Sequence, residues 1–270
     1  MTIPVETIDA LEDTFRSITE LGESLDDAAW ELPSDLPGWS VKDNLSHLIG
    51  TERMLHGLPA AERLTDGDGP HVRNQIGEFN EAEVRARRRL TGHEVLAEWR
   101  ELTAARLATL RAGDDAYFEQ PATTPTGPGT LADFLHIRVL DCWAHEQDMR
   151  RAVGRPGHLD SAAAAHTVDR LIRTLGIVVG KRAGTPEGGA VAIDITGPVE
   201  RHLVFEVRDG RAARVEEPTA PPLATVRLDA EAFAVLALGR RSAEELQDRI
   251  ELGGDVELGR RVAAQLNMMI

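Results

Sequence analysis

The sequence predicts two unlike domains, a helical N-terminal part followed by a smaller α+β part. Three observations carry this. Apolar residues recur at steps of three and four through most of the first 180 positions. Beyond Lys181 the period changes to two. Breaks rich in Gly and Pro separate the periodic segments. The expected division is 1–157 for a helical bundle, 158–185 for a connecting helix and 186–270 for the small α+β domain.

Ile8, Leu11, Phe15, Ile18, Leu21 and Leu25 form the stripe of a first amphipathic helix. Leu32-Pro33 and Leu36-Pro37-Gly38 break the chain. A second helix is expected from Ser40, with Asp43 at the capping-box position, through His47 to about Leu58. TDGDGP at 65–70 reads as a loop. Helical spacing resumes near Gln75, is interrupted at Thr91-Gly92, and continues to Gly113. PATTPTGPG at 121–129 reads as a loop, then a helix runs from Leu131 to about Val153. A further helix is expected over 161–181. Val191, Ile193 and Ile195, then Leu203, Phe205 and Val207, alternate with other residues as strands do, and Asp209-Gly210 turns the chain into 211–215. A fourth strand is expected over 224–228, and helices near 231–238, 242–249 and 255–266.

With 42% hydrophobic and 28% charged residues over 270 positions, the composition excludes wholesale disorder. No window approaches the roughly 20 apolar residues that span a bilayer, and the first residues lack a secretory pattern, so a cytoplasmic protein without a membrane partner is expected. Forty-five acidic against 30 basic residues leave a charge of −15, which argues against nucleic acid as a partner. The dense basic run at Arg85, Arg87, Arg88 and Arg89 follows Glu81 and Glu83 and reads as a solvated helix face. The single cysteine, Cys142, excludes an internal disulfide framework and reads as a packed thiol.

The chemistry concentrates in FLHIRVLDCWAHEQDMR at 134–150. On a helix, Arg138, Asp141, His145 and Asp148 form one polar stripe beside an apolar stripe of Leu135, Val139 and Cys142. A charged stripe on a central helix must be paired, solvated or metal-bound. Asp141 and His145 lie one turn apart, a spacing that lets both reach one ion. His47 is the other histidine in a strongly apolar helix, among Leu45, Leu48 and Ile49. If the two helices face each other, His47, Asp141 and His145 make a three-ligand site with open coordination positions. Each residue also has a plainer reading. His47 alone fits a hydrogen-bonded core residue, Asp141 fits an ion pair with Arg138 or His145, and Asp43 needs only its capping role. The remaining histidines, His71 among them, share no spacing with these.

GWSVKDNLSHLIGTE, followed further on by RVLDCWAHEQDMR, resembles the DinB-like metal-binding four-helix bundles, and within them the mycothiol-dependent maleylpyruvate isomerase family. Trp39, Asp43 and His47 match the family's Trp-x-x-x-Asp-x-x-x-His segment, and Asp141 with His145 its carboxylate and histidine one turn apart. The family's carboxylate is commonly Glu, so Asp141 is one methylene shorter. HVRNQIGEFNEAEVRARR also resembles the family, and LALGRRSAEELQDRIELGGDVELGRRVAAQLNMMI resembles its small sterol-carrier-like domain. The resemblance implies a divalent metal ion, zinc first, on His47, Asp141 and His145, with mycothiol as thiol cosubstrate. It implies a small electrophilic substrate, which an anionic charge would bring to Arg73 and Arg240. A thiol of pKa near 8.5 is only a few per cent thiolate at neutral pH. A metal-held thiolate would add to an activated cis double bond, permit rotation and leave the trans product. In S-transfer the thioether would be kept. The alternatives are a mycothiol S-transferase of detoxification, a two-histidine-one-carboxylate iron oxygenase, and a non-catalytic carrier of metal or apolar ligand. Monomer and homodimer are both compatible with the sequence.

Overall fold

The structure is a computed structural model, described here for residues 3–62 and 72–268. The loop expected at 65–70 and His71 lie outside the described residues. The chain divides into two compact units, Met1–His158 and Leu159–Ile270. The first is helical and the second carries a sheet with helices, the fold class the sequence predicts. Among the described residues no helix is long and apolar enough to cross a membrane.

In the first unit the helices are α1 (Val5–Glu23), α2 (Asp27–Trp30), α3 (Val41–Leu55), α4 (Gln75–Arg87), α5 (Gly92–Ala112), α6 (Asp115–Phe118) and α7 (Leu131–Ala152). Helices α1 and α3 each touch both α5 and α7, which closes a four-helix ring, and α4 lies against α3. Three of the four bundle helices begin in capping boxes, Ser40 with Asp43, Thr91 with Glu94 and Thr130 with Asp133. Each box satisfies amide donors that the first turn leaves unpaired. Ile8, Leu11, Phe15 and Ile18 of α1, Trp99 of α5 and Leu135 and Val139 of α7 are fully or almost fully buried. Nearly every residue of 41–52 is buried, as is nearly every residue of 138–149. The polar groups of α3 and α7 are therefore forced onto one another.

Three local expectations are corrected in this unit. Residues 121–129 are not a plain loop: β1 (Pro121–Thr124) and β2 (Gly127–Thr130) pair antiparallel. Thr124 Oγ1 donates to the Gly127 carbonyl and so closes a turn that composition alone reads as irregular. The basic run is a solvated face only in part: Arg88 and Arg89 are exposed, but Arg85 and Arg87 are not. Arg87 is 5% exposed and is clamped by Glu83 and Glu98, while Arg85 pairs with Glu81. Helix α3 ends at Leu55 instead of near Leu58.

His158, which closes this unit, has both ring nitrogens on carboxylates. Nδ1 is 2.7 Å from Glu146 Oε2 and Nε2 is 2.9 Å from Asp13 Oδ2. Glu146 also accepts from Ser17 and Arg150. Carboxylates only accept, so the ring must be an imidazolium to donate twice. Burial alone would lower its pKa, but Glu146 and Asp13 outweigh it and raise the pKa above the usual 6.5. The stabilisation is thus complete below pH about 6.5 and lost as pH rises through the higher folded value. A hydrogen bond to a charged group contributes about 1.5–3 kcal/mol. The stability gap between the native protein and His158→Asn should therefore narrow as pH rises above about 6.5. Denaturant unfolding checks this, and a gap independent of pH would refute it. Asn is chosen because His158 has φ of 58°, which Asn tolerates.

The second unit opens with α8 (Ala162–Ile172), α9 (Leu175–Ile177) and a π-helical turn at Val178–Arg182. One continuous helix was expected over 161–181; it is broken by a turn at Arg173-Thr174. At Gly176 and Gly180 a Cβ would stand 2.8 and 2.9 Å from backbone atoms of Ala212, so this segment lies directly on a strand. Strands β3 (Ala190–Thr196), β4 (Arg201–Arg208), β5 (Arg211–Val215), β6 (Ala224–Asp229) and β7 (Ile250–Gly254) are ordered β5-β4-β3-β6-β7. Only β3 and β6 pair in parallel. Asp209 and Gly210, both with positive φ, make the tight turn between β4 and β5. Val191, Ile193 and Ile195 share a buried face with Leu203, Phe205 and Val207. Helix α10 (Ala230–Ala237) touches β3 and β6, and α11 (Val256–Ala264) touches β6 and β7. The helix expected at 242–249 is reduced to turns and a 3-10 turn at Gln247–Arg249, and β7 was not foreseen. Its Gly253 and Gly254 weaken the alternating signal.

Candidate metal centre

His47 lies one turn and a half into α3, and Asp141 and His145 one turn apart on α7. Across the bundle, His47 Nε2 is 3.3 Å from Asp141 Oδ2, and His145 Nε2 is 3.5 Å from Asp141 Oδ1. One ligand atom of each residue lies within 4.8 Å of the others. The histidine side chains are 7% and 8% exposed, whereas that of Asp141 is 26% exposed. The cluster is thus largely buried, with Asp141 its most exposed member.

Around it stands a second layer. Arg138 donates from Nη1 to Asp141 Oδ2, and from Nε to Glu52 Oε1 at 2.8 Å. Glu52 Oε2 accepts from Arg106 Nε at 3.0 Å. Glu52, Arg106 and Arg138 are at most 1% exposed. Arg138 Nη2 reaches the Cys142 sulfur at 3.2 Å. His145 Nδ1 is 2.8 Å from Asn44 Oδ1 and 3.5 Å from Asp148 Oδ2, and Asp148 also pairs with Arg151. The Trp39 ring lies 5.3 Å from that of His47 and 6.0 Å from that of His145.

Electrostatics follow from these contacts. Burial would raise the Asp141 pKa, but Arg138 and His47 overcome it and hold the carboxyl well below its ordinary range. Burial lowers the His47 pKa, against the pull of Asp141, so this imidazole is neutral at pH 7. Burial pushes the Cys142 thiol well up, so it is an inert packed group despite the nearby guanidinium. Two imidazoles and an ionised carboxylate are a donor set suited to a borderline divalent ion such as zinc, with room for a further ligand. His47 Nδ1 is buried and without a partner among the described residues.

The structure brings together His47, Asp141 and His145, and it places Arg138 on Asp141. Within the first unit it does not add Arg73 to that cluster, and Arg240 belongs to the second unit. Arg73 is exposed just ahead of α4, and Arg240 follows Gly239 after α10 and donates to the Leu238 carbonyl. Asn44, Glu52 and Arg106 escaped the sequence reading. Asn44 sits three residues before His47, and Glu52 is a lone acid ending the apolar run LSHLIGTE, which were the available signals.

Comparisons with known proteins extend over both units. The profile of the mycothiol maleylpyruvate isomerase N-terminal domain matches residues 11–150, and that of the same family's C-terminal domain matches 163–261. Among solved structures, the mycothiol-dependent maleylpyruvate isomerase aligns at 14% identity with a TM-score of 0.56, covering 94% of this chain and 95% of that one. A histidine-to-alanine mutant of it aligns over the same shares with a TM-score of 0.57. At this identity the likeness speaks to fold. No curated protein matches the sequence.

Proposed function

The chain belongs to the mycothiol maleylpyruvate isomerase family, and on that premise we propose that it is a metal-dependent enzyme using mycothiol as a nucleophile toward a small electrophile. The observation that supports this most is the convergence of His47, Asp141 and His145, with Asp141 part-exposed. His47 and His145 would hold a divalent ion, zinc first, through ring nitrogens, and Asp141 through its carboxylate. When bound, the ion would supply an electrophilic centre that keeps a thiol deprotonated at neutral pH.

The chain's own groups support that task. Arg138 holds one carboxylate oxygen of Asp141 and leaves the other for the centre. The ring of Trp39 and the buried faces of α3 and α7 keep bulk water from the imidazoles. Isomerisation of a cis double bond and S-transfer share the first step, addition of thiolate to the electrophile. They differ in whether the sulfur is later expelled. Arg73 and Arg240 are the cations this reading assigns to an anionic substrate.

Cobalt in place of zinc makes the proposal visible. A thiolate-to-metal absorption band should appear when mycothiol is added, and not with its S-methyl analogue. Arg240→Ala should lower turnover of maleylpyruvate and leave that band intact. Equal binding of the two compounds with no band would discard the proposal in favour of a carrier.

A further inference from the structure

We propose that Asn44 is a positioning residue that fixes the proton of His145 on Nδ1, so that Nε2 faces the centre as a bare lone pair. The proposal rests on the metal reading above.

Asn44 is fully buried on α3, one turn before His47. Its side-chain nitrogen donates to the Ser40 carbonyl at 2.9 Å. A carbonyl can only accept, so the amide cannot be turned round without setting two oxygens against each other. The same nitrogen donates to Ser34 Oγ at 3.0 Å. That hydroxyl spends its own proton on the Trp39 carbonyl at 3.0 Å, and is left to accept. The Asn44 oxygen therefore faces His145 Nδ1 at 2.8 Å. An amide oxygen only accepts, so Nδ1 carries the hydrogen. Asp148 Oδ2, 3.5 Å from the same nitrogen, favours the same tautomer. The opposing pull is Asp141 Oδ1 on Nε2, also at 3.5 Å. A bond at 2.8 Å outweighs a contact at the limit of hydrogen-bond range.

The segment 33–40 acts as a template for this arrangement. Pro33 and Ser40 pair in an isolated bridge, Ser34 accepts from Leu36, and Asp35 holds Arg151, which in turn holds Asp148. His47 has no such guide. Its Nε2 lies 3.3 Å from Asp141 Oδ2, an acceptor, while Nδ1 has no partner among the described residues. The two histidines are thus unequal: His145 is set in ligand form beforehand, and His47 must move its hydrogen from Nε2 to Nδ1.

The test begins with metal-free protein carrying 15N-labelled histidine, at pH 8. Long-range proton–nitrogen spectra should show His145 as the Nδ1–H tautomer and His47 as Nε2–H. Asn44→Leu, which removes the acceptor, should mix the His145 tautomers and weaken zinc binding by about 10- to 100-fold in competition with a chelator. An Nε2–H tautomer for His145 in the native protein overturns the proposal, and so does native zinc affinity in Asn44→Leu. The native-protein spectrum decides the tautomer even if a variant fails to fold. The stated tautomer together with no zinc binding by native protein would sink the metal reading, and with it the positioning role.

Discussion

His145→Ala is expected to lose its divalent ion while keeping nearly all its helicity. Native protein should bind about one zinc ion per chain, as one three-ligand site requires. Removing an imidazole leaves two donors, and the loss of affinity should exceed the roughly 10- to 100-fold typical of second-layer changes. The fold should persist because the surrounding core is independent of the site, with Leu135, Val139, Trp143 and Met149 buried on the same helix. Metal analysis after dialysis, with circular dichroism alongside, measures both. His47→Ala should behave alike. Full zinc content in both variants would place the ion elsewhere.

The second large effect concerns stability. Glu52→Ala should destabilise the protein by about 3–5 kcal/mol, the usual cost of removing one partner from a buried ion pair. Among the described residues Glu52 is the only carboxylate that pairs with both Arg106 and Arg138, and all three side chains are at most 2% exposed. Without it two guanidinium groups remain in the core. Arg138 keeps Asp141, but Arg106 keeps only a marginal 3.5 Å contact with Tyr117 and has one nitrogen already unpaired among the described residues. Glu52→Gln should fall between, since the amide oxygen can still accept one of the two bonds. Urea unfolding gives the comparison, and a loss below 1 kcal/mol in Glu52→Ala would show that water reaches these groups.

Much of this arrangement was legible beforehand, and what was missed has a common cause. Helix starts at Ser40 and Leu131 are local events, written in a cap and the residue three positions on. The step of four between Asp141 and His145 is equally local. Partners across the bundle depend on how each helix is rotated about its axis, which one stripe of apolar residues specifies poorly when a helix is buried on several sides. Glu52 and Arg106, on α3 and α5, are such partners. Arg87 was misjudged for the same reason, since its clamp Glu98 belongs to the next helix. The hairpin at 121–130 and strand β7 fail differently. They are short, rich in Gly and Pro, and stabilised by neighbours that the local pattern does not show.

The sheet of the second unit has two edges, and exposed edges invite strands from other molecules. At β5 the glycines of 176 and 180 let a helical segment sit against Ala212 at a spacing no side chain would allow. At β7 the strand is only five residues long, ends in Gly253-Gly254 and carries Glu251 beside Arg227 of its neighbour. A charged, short and irregular rim is a poor template for strand addition. The sheet therefore resists growth into aggregates at both ends by different means, crowding at one and a lack of regular backbone at the other.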